Sequence, residues 1–217
     1  MDPLRFSLAI GPLALYLLAL GLVNLSRRPL LVSGPRDLAA MAVAVLGLMI
    51  VGPLELLLPQ RAANYFGVYV WLTMLVAYAI CVTLLILVSR PRLTIYNISE
   101  TALRPALAQV VESMDPEARR AGQSLVLPHW YMELHVEAGP RLRVVSLVAN
   151  GDDQNLAGWR QLESALAARL QVTAVGPNPW GAAFVSGALT LLGLAAWQLV
   201  QHPAEVAQGF YEMLRVH

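Results

Sequence analysis

Four stretches of this chain run for about twenty residues with almost no charge, and no other feature limits the fold as tightly. They cover residues 6–25, 38–58, 66–88 and 180–200. At about 1.5 Å per residue, a helix of that length crosses a hydrocarbon layer of roughly 30 Å. A helix that packs in a water-soluble core carries polar residues on its outer face, and these four do not. The sequence therefore predicts a multi-pass α-helical membrane protein with about four transmembrane helices.

Composition agrees. Of 217 residues, 57% are hydrophobic and 13% are charged, whereas soluble domains carry about 25% charge. The formal net charge of +1 offers no field to collect nucleic acid, so the expected partners are the lipid bilayer and another protein or a second copy of the chain. All fifteen basic residues are Arg, a bias that points to a GC-rich bacterial genome. The single cysteine, Cys81, lies within the third run, so no intramolecular disulfide is available. The first run is too long for the apolar part of a signal peptide and lacks a basic start, so it reads as a retained span.

Arg placement sets the expected orientation. Arg27, Arg28, Arg36, Arg90, Arg92 and Arg169 fall on one side, and Arg5, Arg61 and Arg215 on the other. Six against three places both termini outside and the segment between the third and fourth runs in the cytoplasm, with the chain in the cell (cytoplasmic) membrane. Asp37 is the expected N-cap of the second span.

Residues 1–90 thus form three spans, 91–175 a small soluble domain, and 176–217 the fourth span with a short tail. Within 91–175 the periodicities predict strand, helix, strand, strand, strand, helix: an inserted α+β domain with two helices on one face of a mostly antiparallel sheet. The first strand covers 93–98. The first helix ends near Met114, with Leu103, Leu107, Val110, Val111 and Met114 as its apolar stripe, and Ser99 or Thr101 as cap. Pro105 favours Thr101, since that cap puts the proline in the first turn. Asp115-Pro116-Glu117 reads as a second helix start, stopped at Gly122. Strands follow at 125–127, 131–137 and 142–149, the last of them central. Asn150-Gly151-Asp152-Asp153 reads as a turn ending in a cap for a helix over 154–170, with Leu156, Trp159, Leu162, Leu166 and Leu170 inward. Residues 175–179 read as a stiff linker. In the tail, Val206, Phe210, Met213 and Leu214 recur at helical spacing, as in an amphipathic helix lying on a membrane surface.

Few residues suggest chemistry. Glu55 is the one acid within a span, an intramembrane polar site by default because burying it in lipid is costly, although headgroups are within its reach. Glu133, His135 and Glu137 share a strand face, but neighbours two apart stand roughly 6–7 Å from each other, so a solvated face explains them and no metal site is expected. Asp152 and Asp153 lack the spacing of a calcium loop. Asn97-Ile98-Ser99 matches a glycosylation acceptor but falls in the segment placed in the cytoplasm. No nucleophile elbow or phosphate-binding loop occurs, so no catalytic residue or cofactor is expected. His129, Trp130 and Tyr131 follow a proline in a loop and form the expected interaction site. Ala183 and Gly187 make a small-xxx-small pair suited to helix packing. The expected role is a non-catalytic anchor presenting a small cytoplasmic domain for partner or ligand binding. The alternative is a component of a transporter or membrane-enzyme complex using Glu55.

Overall fold

The structure is a computed structural model that describes residues 2–54, 68–139, 143–151 and 154–214. Its helices are α1 (Pro3–Leu25), α2 (Gly34–Met49), α3 (Val68–Val88), α4 (Glu100–Met114), α5 (Leu156–Gln171), α6 (Trp180–Gln201) and α7 (Pro203–Leu214). Its strands are β1 (Leu30–Ser33), β2 (Arg92–Tyr96), β3 (Arg119–Ala121), β4 (Ser124–Leu127), β5 (Met132–Gly139) and β6 (Val144–Ala149). A π-helical turn, Ile50–Leu54, continues α2, and four helical stretches are long and apolar enough to cross a membrane: Pro3–Leu25, Gly34–Pro53, Tyr69–Val88 and Trp180–Gln201.

The chain divides into two compact units. The first comprises Met1–Leu20, Leu38–Leu87 and Ala183–His217. Its interior is built mainly from small residues, with Ala9, Ala14, Ala44, Ala188 and Ala195 all buried, beside the larger Val70 and Trp71. They allow close approach: a Cβ at Gly47 would collide with the carbonyl oxygen of Leu8. Tyr78 donates to the Ala42 carbonyl at 2.8 Å, and Ser7 Oγ to the Ala195 carbonyl at 3.3 Å. The outer faces stay apolar and exposed, as at Leu72, Ile80, Leu85 and Leu194.

The second unit comprises Gly21–Asp37 and Val88–Ala182. It holds one six-stranded, wholly antiparallel sheet in the order β1-β2-β6-β5-β4-β3. Alternation decides its faces: Leu93, Ile95, Leu134, Val136, Val145 and Leu147 turn to one side and are at most 3% exposed. They share a core with Leu103, Leu107, Val110 and Val111 of α4 and Trp159, Leu162, Leu166 and Leu170 of α5. As the sequence predicts, β6 lies inside the sheet, flanked by β2 and β5.

The differences from the sequence reading have local causes. The α+β unit is wider than 91–175, because β1 from the first loop pairs with β2 (Leu30 with Tyr96, Ser33 with Leu93). Asp2 accepts the Leu4 amide at 2.9 Å, and Pro3 occupies the first helical position, so α1 begins at residue 3 rather than 6. Helix α2 starts at Gly34 rather than Leu38. Asp37 then lies inside its first turn instead of capping it. The N-cap of α4 is Ser99, whose Oγ accepts the Ala102 amide at 3.3 Å, so Pro105 sits deeper in the helix than a Thr101 cap would place it. No helix starts at Asp115. It terminates α4, and the chain turns into the β3–β4 hairpin, closed at Gly122 with φ 63°. Asn155, through Oδ1, caps α5, so Leu156 is 62% exposed at its start rather than inward. Asp152 and Asp153 lie outside the described residues, as do the end of the second span and the first residues of the third. The tail segment α7 is helical.

Candidate interaction site

The predicted trio His129, Trp130 and Tyr131 forms a short 3-10 turn and its exit, opened by Pro128. Its anchor is Asp115. Helix α4 ends there because Asp115 takes an extended conformation (φ −146°, ψ 103°), its amide still bonded to the Val111 carbonyl. The carboxylate is completely buried and accepts from the amides of Glu117 (3.0 Å) and His129 (2.9 Å) and from His129 Nδ1 (2.8 Å). Trp130 adds a bond from its indole nitrogen to the Met114 carbonyl at 2.9 Å. The loop is therefore pinned to the end of α4 through both side chains and backbone.

Burial alone would raise the Asp115 pKa. The hydrogen bonds from His129 and Glu117 and the charge of His129 more than offset this and hold it below 3.8. The His129 pKa is raised above 6.5 by its hydrogen bond to Asp115 and by that carboxylate's charge, against a smaller desolvation effect, with Glu117 adding to the rise. An ionised carboxylate only accepts, so Nδ1 carries the proton in the neutral imidazole as well.

The three residues have separate roles. His129 is a strut whose side chain remains 60% exposed. Trp130 is half-buried against the core. It packs beside Gly158 of α5, where a Cβ would stand 3.2 Å from its ring. Tyr131 alone presents its ring outward, 80% exposed, on a left-handed backbone with φ 48°. Beside it lies an open groove of about 480 Å³ whose walls include Val126, Pro128, Met132, Glu133 and Gln154. The Asn150 amide donates to Glu133 Oε1, and Gln154 to the Asn150 carbonyl, which fixes one wall.

The other predicted positions do not converge on this place. Glu55 lies outside the described residues. His135 faces Ser124 Oγ across the β4–β5 pair at 3.3 Å. Glu137 is exposed, and no group of three metal-capable side chains occurs among the described residues. Ala183 and Gly187 are exposed, and a Cβ at Gly187 would meet nothing within 4 Å. The buried small residues of α6 are instead Gly181, Ala188 and Ala195, spaced seven apart. That seven-residue period was available as a signal in the sequence.

A second cluster was not anticipated. The compact unit that contains the sheet also contains the last turn of α1 and the first turns of α2 and α6, joined by polar contacts. Buried Asn97, at φ 61°, donates from Nδ2 to the carbonyls of Val23 (3.2 Å) and Ser26 (2.8 Å), satisfying the end of α1. The amide nitrogen that glycosylation would need is thus enclosed and bonded. Asn178 donates from its backbone to the Asn24 carbonyl at 2.8 Å and from Nδ2 to Asn24 Oδ1 at 3.0 Å, while its own Oδ1 accepts the Trp180 amide. A Cβ at Gly181 would come within 2.9 Å of the Gly21 carbonyl oxygen. Tyr96 and Thr94 donate to Asp37 at 2.6 and 3.4 Å, and Arg36 pairs with Glu163 at 3.5 Å. An asparagine near the end of an apolar run, as Asn24 is, was the available hint.

Comparison with protein-family models, with curated proteins and with solved structures finds no match for this chain.

Proposed function

We propose that the chain is an integral membrane protein, inserted in the cytoplasmic membrane of a bacterial cell by its four apolar helices, whose α+β unit is a non-catalytic recognition module. The Arg asymmetry supports a cytoplasmic position for that unit and outside termini. The partner is a protein, met at the 128–131 loop and the groove beside Tyr131. One observation carries the reading: Tyr131 keeps a large aromatic ring in solvent on a left-handed backbone that costs about 1 kcal/mol or more. The carboxylate, imidazole and indole around it are occupied in holding that loop in place. A ring held outward by such a pinned loop is suited to anchoring an interface, where buried tyrosines contribute strongly. Among the described residues that line the groove, no nucleophile stands beside a base, which supports binding over turnover.

The test is affinity capture of the intact protein from native membranes in mild detergent, wild type beside Tyr131→Ala, with mass spectrometry of companions. A stoichiometric companion kept by the wild type and lost by the variant, at equal thermal stability, is the expected result. An identical companion set in both would remove the site from the interface.

A further inference from the structure

We infer that α7 is an interfacial helix that lies on a neutral lipid surface, with Phe210 and Tyr211 set into that surface; this rests on the proposal that α6 spans the membrane. Helix α6 ends at Gln201 and α7 begins at Pro203, so His202 alone separates them. The junction is fixed. The His202 amide reaches the Gln198 carbonyl at 3.2 Å, the Val206 amide reaches the His202 carbonyl at 3.0 Å, and His202 Nδ1 meets Glu205 at 3.2 Å. Proline at the first helical position suits a new helix start. With twelve residues, α7 extends about 18 Å, too short to cross roughly 30 Å of hydrocarbon.

The helix is also seated rather than frayed. Gly209 is buried, and a Cβ there would lie 2.8 Å from the Asp2 carboxylate, which itself pairs with Arg5 at 3.4 Å. With the Gly209 side held against the start of α1, the neighbouring Phe210 and Tyr211 are left 54% and 60% exposed. Two adjacent aromatic rings in water are unfavourable, whereas a membrane interface takes both, the tyrosine hydroxyl among the headgroups and the phenylalanine ring at the acyl boundary.

Two observations select lipid as the occupant. The end of α6, two residues before α7, is also apolar and aromatic at its surface, with Trp197 and Val200 64% and 76% exposed. Residues 203–217 carry Glu205 and Glu212 against one base, Arg215, so the segment has no net positive charge to draw anionic lipid and suits a neutral headgroup.

The test uses the full chain with Cys81→Ala in phosphatidylcholine vesicles, with single cysteines replacing Leu85, Glu205, Phe210 or Tyr211 and carrying nitroxides. Collision with oxygen, which partitions into lipid, is compared with collision with a water-soluble nickel chelate. Labels at 210 and 211 should show an oxygen-to-nickel ratio several-fold above that at 205, unchanged when phosphatidylglycerol is added. Nickel-dominated labels at 210 and 211, with oxygen-dominated 85, would overturn the inference while leaving the membrane reading intact. Labels at 210 and 211 shielded from both reagents would mean a protein covers the helix, and would also overturn it. A ratio that rises with phosphatidylglycerol would overturn the neutral-surface assignment. A nickel-dominated label at 85 would defeat the membrane reading itself, and α7 with it.

Discussion

The two compact units are assembled on opposite principles. In the α+β unit large aliphatic side chains fill the interior, with Leu134, Leu147, Leu162 and Leu166 fully enclosed. In the helical unit most buried positions are small residues, Val70 and Trp71 being the large exceptions, and the large aliphatic residues are half-buried or face out. Water drives the first arrangement, since burying a leucine removes apolar surface from it. On the proposal that the helical unit lies in lipid, that drive is missing there and close backbone approach takes over. The polar groups divide in the same way: Asn24, Thr94, Asn97, Asp115, Ser146 and Asn178, the buried polar residues among those described, all belong to the α+β unit. Side-chain partners hold several of them there, most completely Asp115.

The contrast can be broken most directly by equal truncations. Leu134→Ala in the α+β unit should lower stability by about 2–5 kcal/mol through the cavity it leaves. Leu85→Ala, at a 67% exposed position of α3, should change it by less than about 0.5 kcal/mol. Thermal unfolding of both in the same detergent gives the comparison. Equal losses would mean that the helical unit also has a core of large side chains.

An enlargement probes the other unit. Ala188→Leu should destabilise by about 1–3 kcal/mol, because Ala188 is fully buried. The same change at exposed Ala183 should cost less than about 0.5 kcal/mol within one chain. A large loss at Ala183, accompanied by loss of an oligomer in size-exclusion chromatography, would show that its exposed face packs against another copy.

A smaller effect is expected from pH. His129 has a raised folded value, so its contribution is complete below 6.5 and declines as pH rises through the folded value. Asp115 has a lowered one, so its contribution is complete above 3.8 and is lost as pH falls through the folded value. The pair should therefore stabilise the unit most between 3.8 and 6.5. His129→Gln should flatten the alkaline side of a melting-temperature profile, and an unchanged profile would show that the pair does not link folding to protons. The least effect is expected at Glu55: if recognition is the role, Glu55→Gln leaves growth across external pH unaltered, and a defect would return weight to a transport function.

Legibility followed the range of the interactions. The stripe of α4 reads from residues three and four apart, and all but half-buried Met114 are enclosed. Strand β1 did not read, since four residues between two spans carry too short a pattern, and its partner β2 lies about sixty residues on. At Asp115-Pro116-Glu117 a sound local rule lost to a distant one. The Asp115 carboxylate accepts the Glu117 amide as a cap would, but it also holds two donors of His129, fourteen residues away, and the chain turns into a hairpin instead of a helix. The loop at 129–131 was picked out for its aromatics, but the sequence could not separate the enclosed Trp130 from the exposed Tyr131.

By itself the sequence determined the four apolar helices, the inserted α+β segment and, apart from Leu156, the inward stripes of its helices, because a helix length or a periodicity is a property of neighbouring residues. Only the tertiary structure decided that the unit takes in the ends of α1, α2 and α6, that Asp115 ends a helix, and that Tyr131 is the exposed ring. Those outcomes depend on which distant donor reaches a buried acceptor, and chain spacing carries no record of that.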